Sequence, residues 1–241
     1  MMEDMKPLKM SLNTSLPVIP IKLGYVKSFL IKGDKAVIVD TGYPGNGERI
    51  LDSLRENLIN PSDISLIIIT HGHIDHYGSA DELRKLTGAP VAMHRTDAEY
   101  IRKGIHYIGM PTCLPARIFK SLFIKKDPIL SKSLEVDIAF ETNIDLKEFG
   151  INGSIIHTPG HTAGSVSIIL SGGTAIIGDL MMGGILRKRT PHLPLFAHDP
   201  GQLRGSIEKI IQLSPKVILA SHGGPFTKQA VERFLGKVLR E

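Results

Sequence analysis

Apolar and polar positions alternate along this chain in short runs. Val18 to Leu23, Val26 to Ile31 and Lys35 to Val39 are compact β-prone segments, the last two meeting at a Gly33-Asp34 turn. A helical stripe follows, with Ile50, Leu51, Leu54 and Leu58 on one face, and Asn60-Pro61 stops it. Ile64 to Thr70 is almost continuously apolar, as expected of a strand buried on both faces. Ser79 to Leu86 reads as a helix and Pro90 to Met93 as another strand. Between 105 and 130 the pattern is less regular. There Leu114, Ile118, Phe119, Leu122 and Phe123 form a helical stripe, expected to pack on the core; a pocket wall or a homodimer surface is its other use.

The second half returns to strands: Val136 to Phe140, Asn143 to Phe149, Ser154 to Thr158, Ser165 to Leu170, Thr174 to Gly178 and Lys216 to Ser221. A helix carries Leu203, Ile207, Ile210 and Ile211, and a closing helix carries Val231, Phe234, Leu235 and Val238. Strands and helices thus come in two similar blocks. Two sheets with helices outside, an α/β four-layer sandwich, would bury these strands on both faces.

Composition narrows this picture. The chain has 241 residues, 42% of them hydrophobic and 22% charged, and no low-complexity linker or short repeat divides it. One domain over 1–241 is expected. No run reaches the length of a membrane span, and the first 18 residues lack the basic and apolar blocks of a secretory leader; a cytoplasmic protein is expected. Cys113 is the single cysteine, which excludes an internal disulfide and a thiolate-rich metal site. Net charge is +5, mostly scattered. The dense patch Arg187-Lys188-Arg189 reads as a solvated loop, with an anion or nucleic-acid contact as the alternative. Aromatics are only 5%, without the aromatic-studded basic stripe of single-strand binders, so no nucleic-acid partner is expected.

One stretch departs from ordinary surface composition. ITHGHIDHYG, residues 69–78, places three of the chain's ten histidines and an aspartate in six positions, directly after the apolar run. His71 and His73 are two apart, so in extended backbone both imidazoles project to one side, with Gly72 adding no bulk between them. Asp75 and His76 follow in a turn leading into a helix, where they can face a second point. Three more candidates lie just past other strand ends: His161 after Pro159-Gly160, Asp179 after Ala175 to Gly178, and His222 after Val217 to Ser221. Strand ends converging on one sheet edge give a rigid frame for a metal site with nitrogen and oxygen ligands.

With these residues the chain resembles the metallo-β-lactamase-fold hydrolases. The motifs run in the family's order over nearly the whole chain: VIVDTG at 37–42, THGHIDH at 70–76, HTPGHTAGS at 157–165, IIGD at 176–179 and SHGG at 221–224. The resemblance implies an αββα sandwich with a two-metal site at one edge. It implies that His71, His73 and His161 bind one metal, that Asp75, His76 and His222 bind the other, and that Asp179 bridges them. Asp40 resembles the family's aspartate that orients ligands without reaching the metal. Two divalent ions sharing a bridging hydroxide would supply the nucleophile and polarise the substrate, with Asp75 orienting the hydroxide and carrying protons. Five histidines and two carboxylates suit zinc; iron or manganese fits the same ligands.

Substrate is less legible. Glyoxalase II-type thioesterases share the core but add a helical C-terminal domain, and only 19 residues follow His222 here, which weakens a dedicated hydroxyacylglutathione role. Acyl-homoserine lactonases are similar in size but carry a tyrosine where this chain has Met182; Tyr77, Tyr107 and His198 are the candidates to replace its hydroxyl. The segments 105–130 and 180–200 are expected to form the pocket, with Met110, Leu114, Phe119, Met181, Met182, Ile185 and Leu186 as an apolar wall. A small acyl ester, thioester or lactone is the expected substrate. The alternatives are a phosphodiesterase or nuclease on the same metals, and a one-iron redox enzyme of the persulfide dioxygenase type. The remaining histidines, His94, His106, His157, His192 and His198, are read as core or solvated.

Overall fold

The computed structural model describes residues 17–124, 129–184 and 187–238. The first half lays down β1 (Val18–Leu23), β2 (Val26–Lys32), β3 (Ala36–Val39), β4 (Ile64–Ile68) and β5 (Val91–His94). Helix α1 (Gly47–Glu56) joins β3 to β4, and α2 (Ile74–Tyr77) and α3 (Ala80–Thr87) join β4 to β5. Helix α4 (Arg95–Arg102) follows β5. Then come β6 (Ile105–His106), β7 (Met110–Pro111), α5 (Leu114–Phe123), β8 (Ile129–Leu130) and β9 (Ile138–Phe140). The second half holds β10 (Ile144–Asp145), β11 (Gly153–His157), β12 (Val166–Leu170), β13 (Thr174–Ile176), β14 (Met182–Gly183), β15 (Pro191–His192), β16 (Phe196–Ala197), α6 (Pro200–Gln212), β17 (Val217–Leu219) and α7 (Lys228–Val238).

Two large sheets result, ordered β1-β2-β3-β4-β5-β9 and β10-β11-β12-β13-β17. In the first, β3, β4, β5 and β9 run parallel; in the second, β13 and β17 do. The alternation of side chains sorts the apolar residues into three layers. Phe29, Val37, Val39, Leu66 and Ile68 meet Ile155, Val166, Ile168 and Ile176 between the sheets. Leu30, Ile38, Ile67 and Ile69 face α1, α3 and α4 through Ile50, Leu54, Leu83 and Ile101. Ala175, Ile177 and Ile218 pack with Leu203, Ile207 and Ile210 of α6 and Val231 of α7. Three apolar layers between helix, sheet, sheet and helix make the four-layer αββα sandwich.

Some elements differ from expectation. The 143–149 strand is only Ile144–Asp145; a 3-10 turn, Leu146–Phe149, follows. Asp145 caps that turn by accepting a 2.9 Å hydrogen bond from the Lys147 amide, and Gly150 closes it in the left-handed region, which is why the strand cannot continue. Helix α4, unread in the sequence, is started by His94, whose Nδ1 accepts from the Thr96 amide. The larger correction concerns α5. Leu114, Ile118, Phe119, Leu122 and Phe123 do not pack on the core; each is between 48% and 68% exposed, and of α5 only Ala116 is buried. An apolar stripe shows that one face is greasy, not what lies against it.

Candidate metal centre

The sandwich carries β4, β11, β13 and β17 to one edge, and the seven candidate side chains leave from it. Among the described residues, three groups could hold a metal ion: His71, His73 and His161; His71, His76 and Asp179; and Asp75, His76 and His222. Within the first, His73 Nδ1 lies 3.1 Å from His71 Nε2 and 3.0 Å from His161 Nε2. Asp179 Oδ2 lies 3.6 Å from His76 Nε2, 3.8 Å from His161 Nε2 and 3.4 Å from His222 Nε2. The aspartate thus sits between the two groups of histidines. Asp75 Oδ2 is 3.3 Å from His222 Nε2 and 3.7 Å from His76 Nε2.

The outer ring nitrogens show which way each imidazole is protonated. His73 Nε2 donates to the Tyr107 carbonyl at 3.0 Å, His161 Nδ1 to the Phe196 carbonyl at 3.0 Å, and His222 Nδ1 to the Tyr25 carbonyl at 2.9 Å. A carbonyl has no proton to give, so in each neutral ring the proton is on the outer nitrogen. The Thr70 hydroxyl donates to Asp40 Oδ2 at 2.9 Å, which leaves its oxygen to accept from His71 Nδ1 at 3.1 Å. The inner nitrogens of His71, His73 and His161 are then three lone pairs aimed at one another, an arrangement that a cation satisfies.

Charge separates the two halves of the cluster. Burial and the neighbouring imidazoles push His71 well below the usual histidine range; burial and His73 push His161 down to about 3. Both stay neutral, as metal ligands must. His76 and His222 go the other way. Burial opposes their charge, but Asp179, Asp40 and Asp75 hold His76 well above its ordinary value, and Asp179 and Asp75 raise His222. Asp75, although burial works against it, is lowered to about 2 by His76 and His222; Asp179 is lowered further by His222 and His76. His76 Nε2 and Asp179 Oδ1 are buried without a hydrogen-bond partner among the described residues, a costly state unless a cation completes it. The donor set therefore fits divalent metal.

Asp40 organises the second half. It is fully buried and holds φ +59, rare outside glycine. Its Oδ1 accepts from the Thr70 amide at 2.8 Å; its Oδ2 accepts from His76 Nδ1 at 2.7 Å, the Thr70 hydroxyl and, at 3.3 Å, the Ser221 hydroxyl. One carboxylate thus ties the loops that carry His71, His76 and His222. The strained backbone is the mark of a residue held in place by its surroundings.

The apolar wall expected from 105–130 and 180–200 is only partly present. Met181 is buried among the apolar residues of α6 and α7 and cannot be a pocket wall. Met182 is half-buried in β14, opposite His192, while Met110 and Phe119 are exposed near the site; Ile185 and Leu186 lie outside the described residues. A small cavity also lies beside His73, walled by Tyr100, Ile101, His106, Tyr107 and His198. Of the candidates for an assisting hydroxyl, Tyr77 is buried and donates to the Lys132 carbonyl at 2.7 Å, which is a structural role. Tyr107 stacks edge-on against Tyr100, and its carbonyl positions His73. Sequence reading missed Tyr43, in the loop after Asp40. Burial first, then the Asp75 and Asp179 carboxylates, raise its phenol above the ordinary range, so it lies within their electrostatic reach. Its sequence signal was position alone. Asp97 was also missed.

Residues 21–222 match the family model described as the metallo-beta-lactamase superfamily. The chain belongs to that superfamily. It is 32% identical over 207 residues to an uncharacterised protein of Mycobacterium leprae, covering 84% of this chain and 87% of the relative. A probable metallo-hydrolase of Bacillus subtilis is 28% identical over 79% of this chain and 76% of its own length. Hydroxyacylglutathione hydrolase GloC of Haemophilus influenzae is 27% identical over 91% of this chain and 95% of its own. Among solved structures, a metallo-β-lactamase family protein of Thermus thermophilus superposes with a TM-score of 0.67 at 20% identity, over 93% of this chain and 79% of that one. At that identity it speaks for the fold alone. As a superfamily member, the chain presents its His/Asp cluster where the two sheets end.

Proposed function

We propose that this chain is a hydrolase with two divalent metal ions, most simply zinc, acting on a small acyl ester, thioester or lactone. His71, His73 and His161 would hold one ion, Asp75, His76 and His222 the other, and Asp179 would contact both. The observation that carries the reading is the position of Asp179 Oδ2, within 3.4–3.8 Å of three histidine nitrogens drawn from both halves. When bound, such a pair supplies an activated water and draws electron density from the substrate's carbonyl oxygen.

The protein's own groups do the rest. Asp40, Thr70 and the carbonyls of Tyr25, Tyr107 and Phe196 hold the rings at fixed tautomers, so little reorganisation is needed on reaction. Asp75 is ionised and partly open to solvent, suited to accept a hydrogen bond from the attacking water and orient it. Exposed Phe119, its ring 6.4 Å from that of Phe196, and exposed Met110, paired with Ala197, favour a substrate with an apolar part. A hydroxyacylglutathione hydrolase matched over 95% of its own length is among the relatives, which supports a thioester among the candidate substrates.

The test is a panel on one purified sample: p-nitrophenyl acetate, a lactone, a thioester and bis-p-nitrophenyl phosphate, with metal content measured beside it. Acyl turnover exceeding phosphodiester turnover, with two metals per chain, supports the reading. Dominant phosphodiester cleavage, or a single iron per chain, overturns it.

A further inference from the structure

We propose that Asp97 is a positioning residue that locks the two loops carrying the first metal triplet against each other. This rests on the metal reading above. Asp97 stands in the first turn of α4, just past the end of β5 and so at the same sheet edge, and it is 3% exposed. Its Oδ2 accepts from the Gly72 amide at 2.8 Å and from the Thr162 hydroxyl at 2.6 Å. Its Oδ1 accepts from the Gly164 amide at 2.8 Å. Gly72 is the residue between His71 and His73; Thr162 follows His161. One carboxylate therefore reaches the backbone on both sides of the triplet, across the 89 residues that separate His71 from His161.

The closeness of that packing explains two glycines. A Cβ on Gly164 would stand 2.6 Å from Asp97 Oδ1, and one on Gly72 would meet Ile101 and Asp97 at 3.3–3.4 Å. Gly72 is thus bare for the sake of the carboxylate behind it as well as for the imidazoles in front. All three donors are on buried residues, so without Asp97 the Gly72 and Gly164 amides lose their acceptor and the Thr162 hydroxyl keeps only Ser165 Oγ, 2.7 Å away. Those groups flank the ligands by one to three residues. The loops would then move to find other partners, and His73 Nδ1 would lose its 3.0 Å approach to His161 Nε2. Partners of this sort typically cost 10–100-fold in metal affinity when removed.

The experiment is cobalt titration of the metal-stripped full-length chain, read by visible absorption and stoichiometry, with thermal unfolding on each sample. The His161→Ala variant identifies the band of the first triplet. Asp97→Asn is expected to weaken that site about 10- to 100-fold and to change its band, while the Asp75-His76-His222 site keeps its affinity. Thr162→Val, a gentler change that removes one of the three donors, is expected to fall between, about threefold to tenfold. Asp137→Asn is the control: its Oδ2 accepts from the Val91 amide at 2.8 Å in the same sheet, away from the ligands. It should lower the unfolding temperature and leave both cobalt sites alone. Wild type binding two ions with Asp97→Asn within twofold of it at both sites would overturn the proposal alone. So would Asp137→Asn weakening the first site as much as Asp97→Asn. A wild-type chain that takes up no cobalt would overturn the metal reading and this proposal with it.

Discussion

The ligand-bearing edge and the segment around α5 are built on opposite terms. At the edge, His71, His76, His161 and Asp179 are buried, His73, Asp75 and His222 partly so, and every outer ring nitrogen has a fixed partner. Around α5 the strands are two residues long, and the helix turns five large apolar side chains outward. Tyr107, just after β6, and Phe196, in β16, join the two regions by lending their carbonyls to His73 and His161. Phe196 also carries its ring to 6.4 Å from Phe119 of α5. On the proposed reading, chemistry is held by the buried edge, while the surface offered to substrate is built of two-residue strands and an exposed helix, joined to that edge through backbone. A site of this design can change its substrate without disturbing its ligands.

The comparison predicts a graded series of effects. His76→Ala or Asp179→Ala should cut hydrolysis at least about a hundredfold and lower bound metal, since removing either strips a donor that faces more than one other ligand; full activity in both would break the account. Asp40→Ala should follow, with metal affinity down about 10- to 100-fold by competition titration, because His76 loses the acceptor that orients it. Phe29→Ala, between the sheets, should cost about 3–5 kcal/mol in denaturant unfolding. Phe119→Ala should leave metal content and stability unchanged and raise KM severalfold for a long-tailed acyl substrate over p-nitrophenyl acetate. An equal effect on both substrates would sink the assignment of that face. Leu122→Ser, farther along the exposed stripe, should move stability by no more than about 0.5 kcal/mol.

The contrast also explains what could be read in advance. HGHIDH, His161, Asp179 and His222 were legible because each follows an apolar strand, and strands ending at one edge bring distant residues together. The sandwich was legible because both sheets are covered on both faces, leaving nearly unbroken apolar runs such as Ile64 to Ile69. Asp97 was not, because nothing in RTDAEY distinguishes a buried acceptor from a charged helix start. Nor was the fate of the α5 stripe, since spacing reports a face and not its neighbour. Met181 and Met182 illustrate the limit most sharply: adjacent and chemically identical, one enters the core and the other lies in a surface strand pair.

The most direct test of the central claim is metal content and acyl turnover measured on the same preparation, before and after chelation and zinc repletion. The account predicts two divalent ions per chain, loss of ester or thioester hydrolysis on stripping, and recovery on adding zinc. Hydrolysis that persists undiminished in the stripped chain would contradict it.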